Sequence, residues 1–180
     1  MKPERRRMQR KILLCVTGSI AAYKAAELVR LAVKAGDEVK VVMTPAACEF
    51  VTPLTFQTLS RNPVAVDQFK PPAEWRPEHI ALAEWADVAV VAPATANTIA
   101  KMRFGIADNL LTSTLLATRA SVVVAPAMND AMFEAAATQE NLAALRARGV
   151  KVVEPGSGEL ACGTSGRGRM AEPEEVFKAL

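Results

Sequence analysis

Four short polar segments follow apolar runs in this sequence, and each contains residues that can bind an anion or a polar ring edge. They are TGSIAAYK (17–24), MTPA (43–46), PATANT (93–98) and PAMN (126–129). A glycine and a serine at a helix start present backbone N–H groups and a positive dipole end to an anion. Threonine and asparagine side chains both donate and accept hydrogen bonds. These segments predict a site for a phosphorylated ligand.

Each segment also has a purely structural interpretation. Ser19 is a plausible helix cap behind Gly18, and Thr95 and Asn129 are residue types that commonly cap helices. Met128 and Met132 are equally suited to filling a core. The sequence GxGxxG, which marks many dinucleotide sites, is missing from the first segment. The spacing alone leaves both interpretations open.

Two further candidates lie outside these segments. His79 ends the proline-rich stretch KPPAEWRPEH (70–79), and an imidazole is a suitable general base at neutral pH. Cys162 lies in GSGELACGTSGRGRM (156–170), a glycine-rich stretch that we predict to be irregular. The nearby Arg167 and Arg169 suggest a mobile segment that closes over an anionic substrate. A lone histidine is more commonly structural or solvated.

The elements that must position these residues alternate along the chain. Apolar runs predict buried strands at 11–17, 38–44, 87–94 and 121–127, with weaker strands at 64–69 and 150–155. Helical segments are predicted at 21–36, after Pro53, at 79–86, on either side of Gly105, over 130–149, and at the end of the chain. This alternation predicts an α/β fold, a Rossmann-like or flavodoxin-like three-layer domain with a mainly parallel sheet and helices on both faces. Because ligands bind beyond the carboxyl ends of such strands, the four polar segments should meet at one edge.

The length and the charge distribution indicate the number of domains and the kinds of partner. The chain has 180 residues, 51% hydrophobic and 23% charged, which suits one globular domain. The first 11 residues carry six Lys or Arg and one Glu, so the remainder has 16 basic and 18 acidic residues and no basic stripe. We predict a basic, flexible tail over 1–10, a binding and catalytic domain over 11–180, and no nucleic-acid partner.

The number and spacing of cysteines and histidines indicate the cellular compartment and whether a metal site is expected. Three cysteines without a CxxC pair favour a reducing cytoplasm over a disulfide framework. A single histidine in the chain argues against a zinc site. No apolar run reaches the roughly 20 residues of a membrane span, and the basic N-terminus lacks the features of a secretory signal. The expected location is the cytoplasm, with no membrane partner and no metal.

The ordered set TGSIAAYK, HIALAEWAD, APATANTIAKMRFGIADNLL, APAMNDAMF and ACGTSGRGRMAEP resembles the flavin-dependent cysteine decarboxylase family. The resemblance covers nearly all of residues 11–180 and is greatest to the branch that acts in coenzyme A biosynthesis. It implies bound FMN and decarboxylation of 4′-phosphopantothenoylcysteine to 4′-phosphopantetheine. The family motif PxMNxxMW ends here in Phe133, which keeps an aromatic ring but lacks an indole N–H.

The resemblance also assigns roles to residues. It implies that His79, Asn129 and Cys162 are catalytic: His79 as the active-site histidine, Asn129 holding the substrate carboxylate, and Cys162 as proton donor. Asn129 also belongs to the implied substrate-binding set, with Ala161 and Met170. The flavin contacts it implies are Gly18, Ser19, Ile20, Thr44, Thr95, Ala96, Asn97, Thr98 and Met128.

The same resemblance implies self-association as a homotrimer or dodecamer, and a phosphopantothenoylcysteine synthetase as a fused or separate partner. Three alternatives remain open from the sequence. A peptidyl-cysteine decarboxylase is disfavoured by the glycine-rich segment, and a flavin prenyltransferase by PAMN and Cys162. A non-catalytic flavoprotein regulator is disfavoured by the basic N-terminus and by the joint presence of His79, Asn129 and Cys162.

Overall fold

The sheet at the centre of the molecule contains six parallel strands. The computed structural model describes residues 8–70, 75–159 and 165–180. Within them the strand order is β3-β2-β1-β4-β5-β6, and all pairings in this sheet are parallel. This is the order of a doubly wound Rossmann-like sheet, so the predicted fold class is confirmed. The strands are β1 (Lys11–Val16), β2 (Glu38–Met43), β3 (Val64–Ala65), β4 (Val88–Ala94), β5 (Ser121–Pro126) and β6 (Lys151–Val152).

The two central strands are buried because their side chains alternate between two hydrophobic cores. On β1, Ile12, Leu14 and Val16 belong to one core, and Leu13 and Cys15 to the other. On β4 all seven residues are buried. A strand covered on both faces needs a near-continuous apolar sequence, which KILLCV and VAVVAPA supply.

Helices cover both faces of the sheet. The first core receives side chains from α1 (Ala22–Lys34), α2 (Pro45–Cys48), α3 (Pro53–Ser60) and α9 (Pro173–Ala179). The second core receives side chains from α4 (Glu78–Trp85), α5 (Ala96–Phe104), α6 (Leu110–Ala117), α7 (Asp130–Glu134) and α8 (Ala136–Ala147). The three-layer arrangement brings every strand-to-helix turn that follows a carboxyl end to one edge of the sheet.

The prediction of one long helix over 130–149 is wrong, because the chain leaves the helical region at Ala135. Its φ of −53° and ψ of 132° separate α7 from α8. The side chain of Gln139 donates to the carbonyl oxygen of Phe133, which compensates for the interrupted helical ladder. The short helix α7 is thereby free to take its own direction after β5.

The prediction that the glycine-rich stretch 156–170 is irregular is also wrong for its described residues. They form an antiparallel hairpin of β7 (Gly156–Glu159) and β8 (Ser165–Arg169), and residues 160–164 lie outside the described part. Gly158 and Gly168 have φ values of 150° and 157°, a conformation that residues with a Cβ rarely adopt. The glycines therefore shape strands rather than prevent them.

Two boundaries differ from the prediction. Helix α4 begins at Glu78, one residue before the predicted start, so His79 lies in its first turn. Of the weak strand predicted over 64–69, only Val64–Ala65 pairs with β2. Proline at position 77 fits the start of α4, because its fixed φ is compatible with helix entry.

The basic N-terminus is tied to the sheet at its last residue. Arg10 donates to Asp37 through its backbone N–H at 3.1 Å and through Nη2 at 2.7 Å. Its guanidinium also lies 5.4 Å from the ring centroid of Phe177. Residues 1–7, which carry most of the predicted tail, lie outside the described residues.

The described helices are short. The helix α1 has 13 residues, and none in residues 8–70, 75–159 and 165–180 has the length and apolar character to cross a bilayer. The same three ranges hold no cluster of three or more His, Cys, Asp or Glu side chains arranged to bind a metal ion.

Candidate functional site

Three of the four predicted polar segments form helix caps at the carboxyl edge of the sheet. Thr44 caps α2 and accepts from the N–H of Ala47, while Thr95 caps α5 and accepts from Thr98. Asn129 caps α7, its Oδ1 accepting from the N–H of Ala131 at 2.9 Å. The helix starts after β2, β4 and β5 therefore lie along one rim, with their positive dipole ends toward it.

The rim is joined at the point where the strand order reverses. That point lies between β1 and β4, where ligands bind in doubly wound sheets. The buried hydroxyl of Thr17, directly after β1, donates to the carbonyl oxygen of Pro93 at 2.6 Å. Thr17 Oγ1 also accepts the N–H of Thr95 at 3.1 Å. Thr17 thus fixes the TANT turn against the start of the TGSI turn.

Gly18 allows the first turn to approach the second. A Cβ added to Gly18 would lie 2.6 Å from the Cβ of Ala46 and 3.2 Å from its backbone carbon. Such contacts are too short for any side chain, so the β1 and β2 turns touch only because residue 18 is glycine. The two turns are therefore in close contact on the β2 side of the switch point.

Ser19 is not the helix cap that the structural interpretation proposed. Helix α1 begins at Ala22, and Ala21 is its N-cap without a side-chain hydrogen bond. Ser19 Oγ instead accepts from the N–H of Ala21 at 3.3 Å within the turn. Ile20 exposes 57% of its surface beside it. The turn therefore places a hydroxyl and an exposed apolar side chain together at the start of α1.

The TANT residues differ in exposure, and the buried one supports the turn while the exposed one faces solvent. Thr98 is buried, and its Oγ1 accepts from Thr95 Oγ1 at 3.2 Å in the orientation that lets Thr95 cap the helix. Ala96 is half-buried and Asn97 is exposed. Asn97 and the backbone of the turn are thus the parts of the segment that can reach a ligand.

The PAMN turn is attached to the neighbouring strand end and to the hairpin. The N–H of Ala127 donates to the carbonyl oxygen of Ala94 at 3.0 Å, and the N–H of Met128 donates to that of Gly168 at 3.0 Å. A Cβ on Gly168 would lie 2.3 Å from the carbonyl oxygen of Met128. The hairpin strand β8 therefore packs backbone to backbone on the turn that carries Asn129.

Phe133 connects the same hairpin to the second core. Its ring is 3% exposed, and the guanidinium of Arg167 lies 5.3 Å from the ring centroid. Arg167 also forms an ion pair with Glu154 at 2.7 Å. The ring at the position where the family has tryptophan thus provides a face for a cation, a role that needs no indole N–H.

Met170, a predicted substrate-binding residue, is 1% exposed and packs in the first core. Its carbonyl oxygen accepts from Lys24 Nζ at 2.9 Å. The same ammonium forms an ion pair with Glu172 at 2.9 Å. Met170 therefore fixes the end of β8 in place, and its side chain points into the core.

His79 reaches the site edge through the direction of its helix. A helix that precedes a parallel strand runs back across the sheet, so its first turn lies near the carboxyl edge. His79 is half-buried in that first turn of α4. The topology therefore puts the first turn of α4, which contains His79, near the carboxyl edge of the sheet.

The remaining predicted residues, Ala161 and Cys162, lie outside the described residues. The other two thiols are unsuited to chemistry. Cys15 is fully buried in β1, and this burial raises its pKa far above the ordinary range. Partial burial also raises the pKa of Cys48, and the nearby Glu49 adds to the effect.

The arrangement suits a phosphorylated flavin. The Gly18 turn leads into the N-terminus of α1, a helix end that suits a phosphate, and the caps are uncharged and polar, as hydrogen bonds to a heteroaromatic ring edge require. A dinucleotide fingerprint is missing from the same turn. The family model described as Flavoprotein matches residues 1–180. The chain belongs to the flavoprotein family.

Curated relatives of this flavoprotein chain agree with its resemblance. It is 52% identical over 169 residues to the coenzyme A biosynthesis bifunctional proteins CoaBC of Haemophilus influenzae and Bacillus subtilis. The match covers 94% of this chain and 42% of each relative, so the chain spans less than half their length.

Solved structures of similar proteins show the same fold. A cysteine-to-serine mutant of PPC decarboxylase, complexed with pantothenoylaminoethenethiol, is 32% identical with a TM-score of 0.86, and the match covers 96% of each chain. The FMN binding protein AtHal3 is also 32% identical, with a TM-score of 0.83 and coverage of 96% of this chain and 95% of that one. These matches confirm the predicted relationship to the flavin-dependent cysteine decarboxylases.

Two structural residues were missed by the sequence analysis. Thr17 is part of a quoted segment, but its role depends on Pro93 and Thr95, far along the chain. Lys24 looks like an ordinary exposed helix residue, yet it is 5% exposed. Its position among Ala22, Ala25 and Leu28 on the buried face of α1 is the signal that was available.

Proposed function

We propose that this chain catalyses the FMN-dependent decarboxylation of 4′-phosphopantothenoylcysteine to 4′-phosphopantetheine in coenzyme A biosynthesis. The observation that carries the proposal is the joined rim at the strand switch point. There Thr17 binds the TANT turn, Gly18 admits the neighbouring turn, and the PAMN turn is attached to the end of β4. The relationship to CoaBC proteins and to PPC decarboxylase supports the choice of substrate.

The rim residues divide naturally between the parts of FMN. Backbone N–H groups of the Gly18 turn suit the phosphate, and the polar caps suit the ring system. The bound flavin would supply reversible hydride acceptance at the thiol-bearing carbon, which gives the departing carboxylate an electron sink. The residues that we propose to hold it are Gly18, Ser19, Ile20, Thr44, Thr95, Ala96, Asn97, Thr98 and Met128.

Asn129 is the proposed carboxylate-positioning residue. Its Oδ1 caps α7, and an amide donates hydrogen bonds only through its nitrogen, so the nitrogen is the group that would bind a carboxylate. An amide orients the anion without a full countercharge, so it stabilises the ground state less than an arginine would. This suits a group that must leave as carbon dioxide.

His79 and Cys162 complete the proposed proton transfers. His79, in the first turn of α4, would take the proton of the substrate thiol. Cys162 would return a proton to the carbon that lost the carboxylate, and Ala161 and Met170 would belong to the same substrate-binding segment. Replacing His79 with Asn should abolish reduction of the flavin by substrate, and unchanged reduction kinetics would remove it from the mechanism.

We also propose a cytoplasmic homotrimer or dodecamer, with residues 11–180 as the FMN-binding domain and residues 1–10 as a basic tail. Large exposed apolar side chains on the described surface, such as Tyr23 (60% exposed) and Leu54 (68% exposed), support self-association. A synthetase, fused or separate, is the proposed functional partner, since the matched CoaBC relatives are bifunctional proteins. A monomeric light-scattering mass for the FMN-loaded protein would exclude the oligomer.

The test of the proposed function compares two substrates. The purified protein should be yellow and should release FMN on heating. Mass analysis should then show conversion of phosphopantothenoylcysteine to 4′-phosphopantetheine, while a peptide ending in cysteine stays intact. Conversion of the peptide alone would replace the proposal with a peptidyl-cysteine decarboxylase.

A further inference from the structure

Lys24 is a buried cation with no part in the chemistry proposed above. It lies on the inner face of α1, the helix that follows the TGSI turn, and only 6% of its side chain is exposed. A buried ammonium is costly unless its donors are satisfied. Its partners should therefore reveal why a lysine occupies this position.

Both partners lie just beyond the end of the β7–β8 hairpin. Lys24 Nζ donates to the carbonyl oxygen of Met170 at 2.9 Å and to Glu172 Oε1 at 2.9 Å. Glu172 also receives Nη2 of Arg169 at 3.1 Å and caps α9. The ammonium thus holds Met170 and Glu172, just after the chain leaves β8.

The two neighbouring cations, Lys24 and Arg169, change the pKa of Glu172. The hydrogen bond from Lys24 is the main cause that lowers the pKa of Glu172, against a smaller opposing effect of desolvation, and Arg169 contributes further. The carboxylate therefore remains charged at neutral pH, and the joint between α1 and the hairpin is an ion pair.

We propose that Lys24 is a positioning residue that fixes the β7–β8 hairpin relative to the TGSI turn and so sets the geometry of the substrate site. β8 lies on the Asn129 turn through Gly168, and two residues further along the chain Met170 is held by Lys24, on the helix that starts at the proposed flavin-phosphate turn. Lys24 is the link that makes the hairpin and that turn one rigid unit. This inference rests on the proposed function, because it assigns the hairpin to substrate binding.

The first test measures the hairpin without flavin or substrate. In Lys24→Met and Glu172→Gln proteins freed of cofactor, hydrogen exchange at the backbone amides of Ser165–Arg169 should accelerate about tenfold, as loss of one charge-assisted hydrogen bond implies. Exchange in β1 and β4 should not change. Arg30→Met is the matched control, since it removes an exposed ion pair with Glu27 on the same helix.

The second test separates positioning from general damage. With FMN bound, both variants should show a KM for phosphopantothenoylcysteine raised by about tenfold and an unchanged flavin affinity. A merely destabilised protein would instead lose active fraction at constant KM. The double variant should resemble Lys24→Met, because Lys24→Met already removes the ion pair.

The outcomes distinguish the inference from the proposed function. Unchanged hairpin exchange and unchanged KM in both variants would overturn the positioning role, as would exchange that accelerates equally throughout the sheet. If Lys24→Met fails to fold, Glu172→Gln decides, because the Glu172 side chain is 52% exposed and tolerates the change. A wild-type protein that never decarboxylates the substrate would refute the proposed function. The hydrogen-exchange data would still test whether Lys24 fixes the hairpin to α1.

Discussion

The hydroxyl of Thr17 binds both the carbonyl oxygen of Pro93 and the N–H of Thr95, and so joins the ends of β1 and β4 at the switch point of the sheet. Thr17 is 1% exposed, so no water replaces either bond. The proposed flavin site depends on this junction, because the TGSI and TANT turns lie on its two sides.

Replacing Thr17 with Val should loosen the junction, because it removes the hydroxyl while nearly preserving the side-chain volume. Each buried partner left unpaired should cost about 1–3 kcal/mol in the free energy of unfolding. FMN affinity should fall as well, while Thr17→Ser, which keeps the hydroxyl, should retain both properties. Chemical denaturation and flavin titration measure the two effects. Equal FMN affinity in Thr17→Val and wild type would show that the junction does not organise the site.

Gly18→Ala should weaken flavin binding by forcing the β1 and β2 turns apart. Its new Cβ would lie 2.6 Å from the Cβ of Ala46 and 3.2 Å from its backbone carbon, and neither atom can move aside as the end of a flexible side chain can. Gly149→Ala is the matched control, because Gly149 has a φ of 86° with open space around it and follows α8, which ends at the opposite edge.

The control should lose about 1–2 kcal/mol of stability from left-handed strain and keep its FMN affinity. Isothermal titration of the flavin-free proteins compares the affinities. If both glycine variants lose FMN affinity equally, the loss comes from lower stability of the fold and not from the contact between the β1 and β2 turns.

Asn129→Asp separates the two roles of Asn129. Aspartate caps a helix as well as asparagine does, so α7 and the melting temperature should be preserved. It cannot donate to a carboxylate and adds a like charge, so turnover should fall by about 100-fold or more, equivalent to over 2.7 kcal/mol. Asn129→Ala should lose turnover and about 1 kcal/mol of stability. Normal turnover by Asn129→Asp would remove Asn129 from carboxylate positioning.

Phe133 and Arg167 should be energetically coupled. A double-mutant cycle of Phe133→Leu and Arg167→Met should give a coupling of about 0.5–1 kcal/mol, since the guanidinium lies over the ring and is half-exposed. Denaturant unfolding of the four proteins measures it. Strict additivity would mean that the aromatic ring serves only to fill the core.

Cys162 should be the one fast-reacting thiol of the native protein. Cys15 is buried, and the raised pKa of Cys48 limits its thiolate, whereas a proton donor must be reachable by substrate. Labelling with a thiol reagent should show one rapid phase in the wild type and none in Cys162→Ser. That variant should still release carbon dioxide but accumulate an oxidised enethiol. A rapid phase that persists in Cys162→Ser would place the reactive thiol elsewhere.

The sequence identified the sheet well because its central strands carry their own signal. KILLCV and VAVVAPA are apolar on both faces, and the polar segments behind them lie at one edge as parallel topology requires. The break at Ala135 was missed because an alanine-rich run without glycine or proline resembles continuous helix. The hairpin was missed because a glycine-rich sequence usually indicates a loop, and the same glycines can also occur in a distorted strand.

Contacts between distant residues were beyond prediction from spacing. Thr17 meets Thr95 across 78 positions and Lys24 meets Met170 across 146, and neither pair leaves a local pattern. The role of Phe133 likewise depends on Arg167, which the sequence analysis assigned to a closing segment. Local chemistry identified the candidate residues, and only the tertiary structure showed how they are joined.

The most direct measurement follows the carboxyl carbon of the substrate. Phosphopantothenoylcysteine labelled at the cysteinyl carboxylate is incubated with the yellow protein, and labelled carbon dioxide and 4′-phosphopantetheine are quantified together. The account predicts that both form in equal amounts over many turnovers, without added oxidant or reductant. Label that remains in the substrate while the protein holds its full complement of FMN would contradict the account.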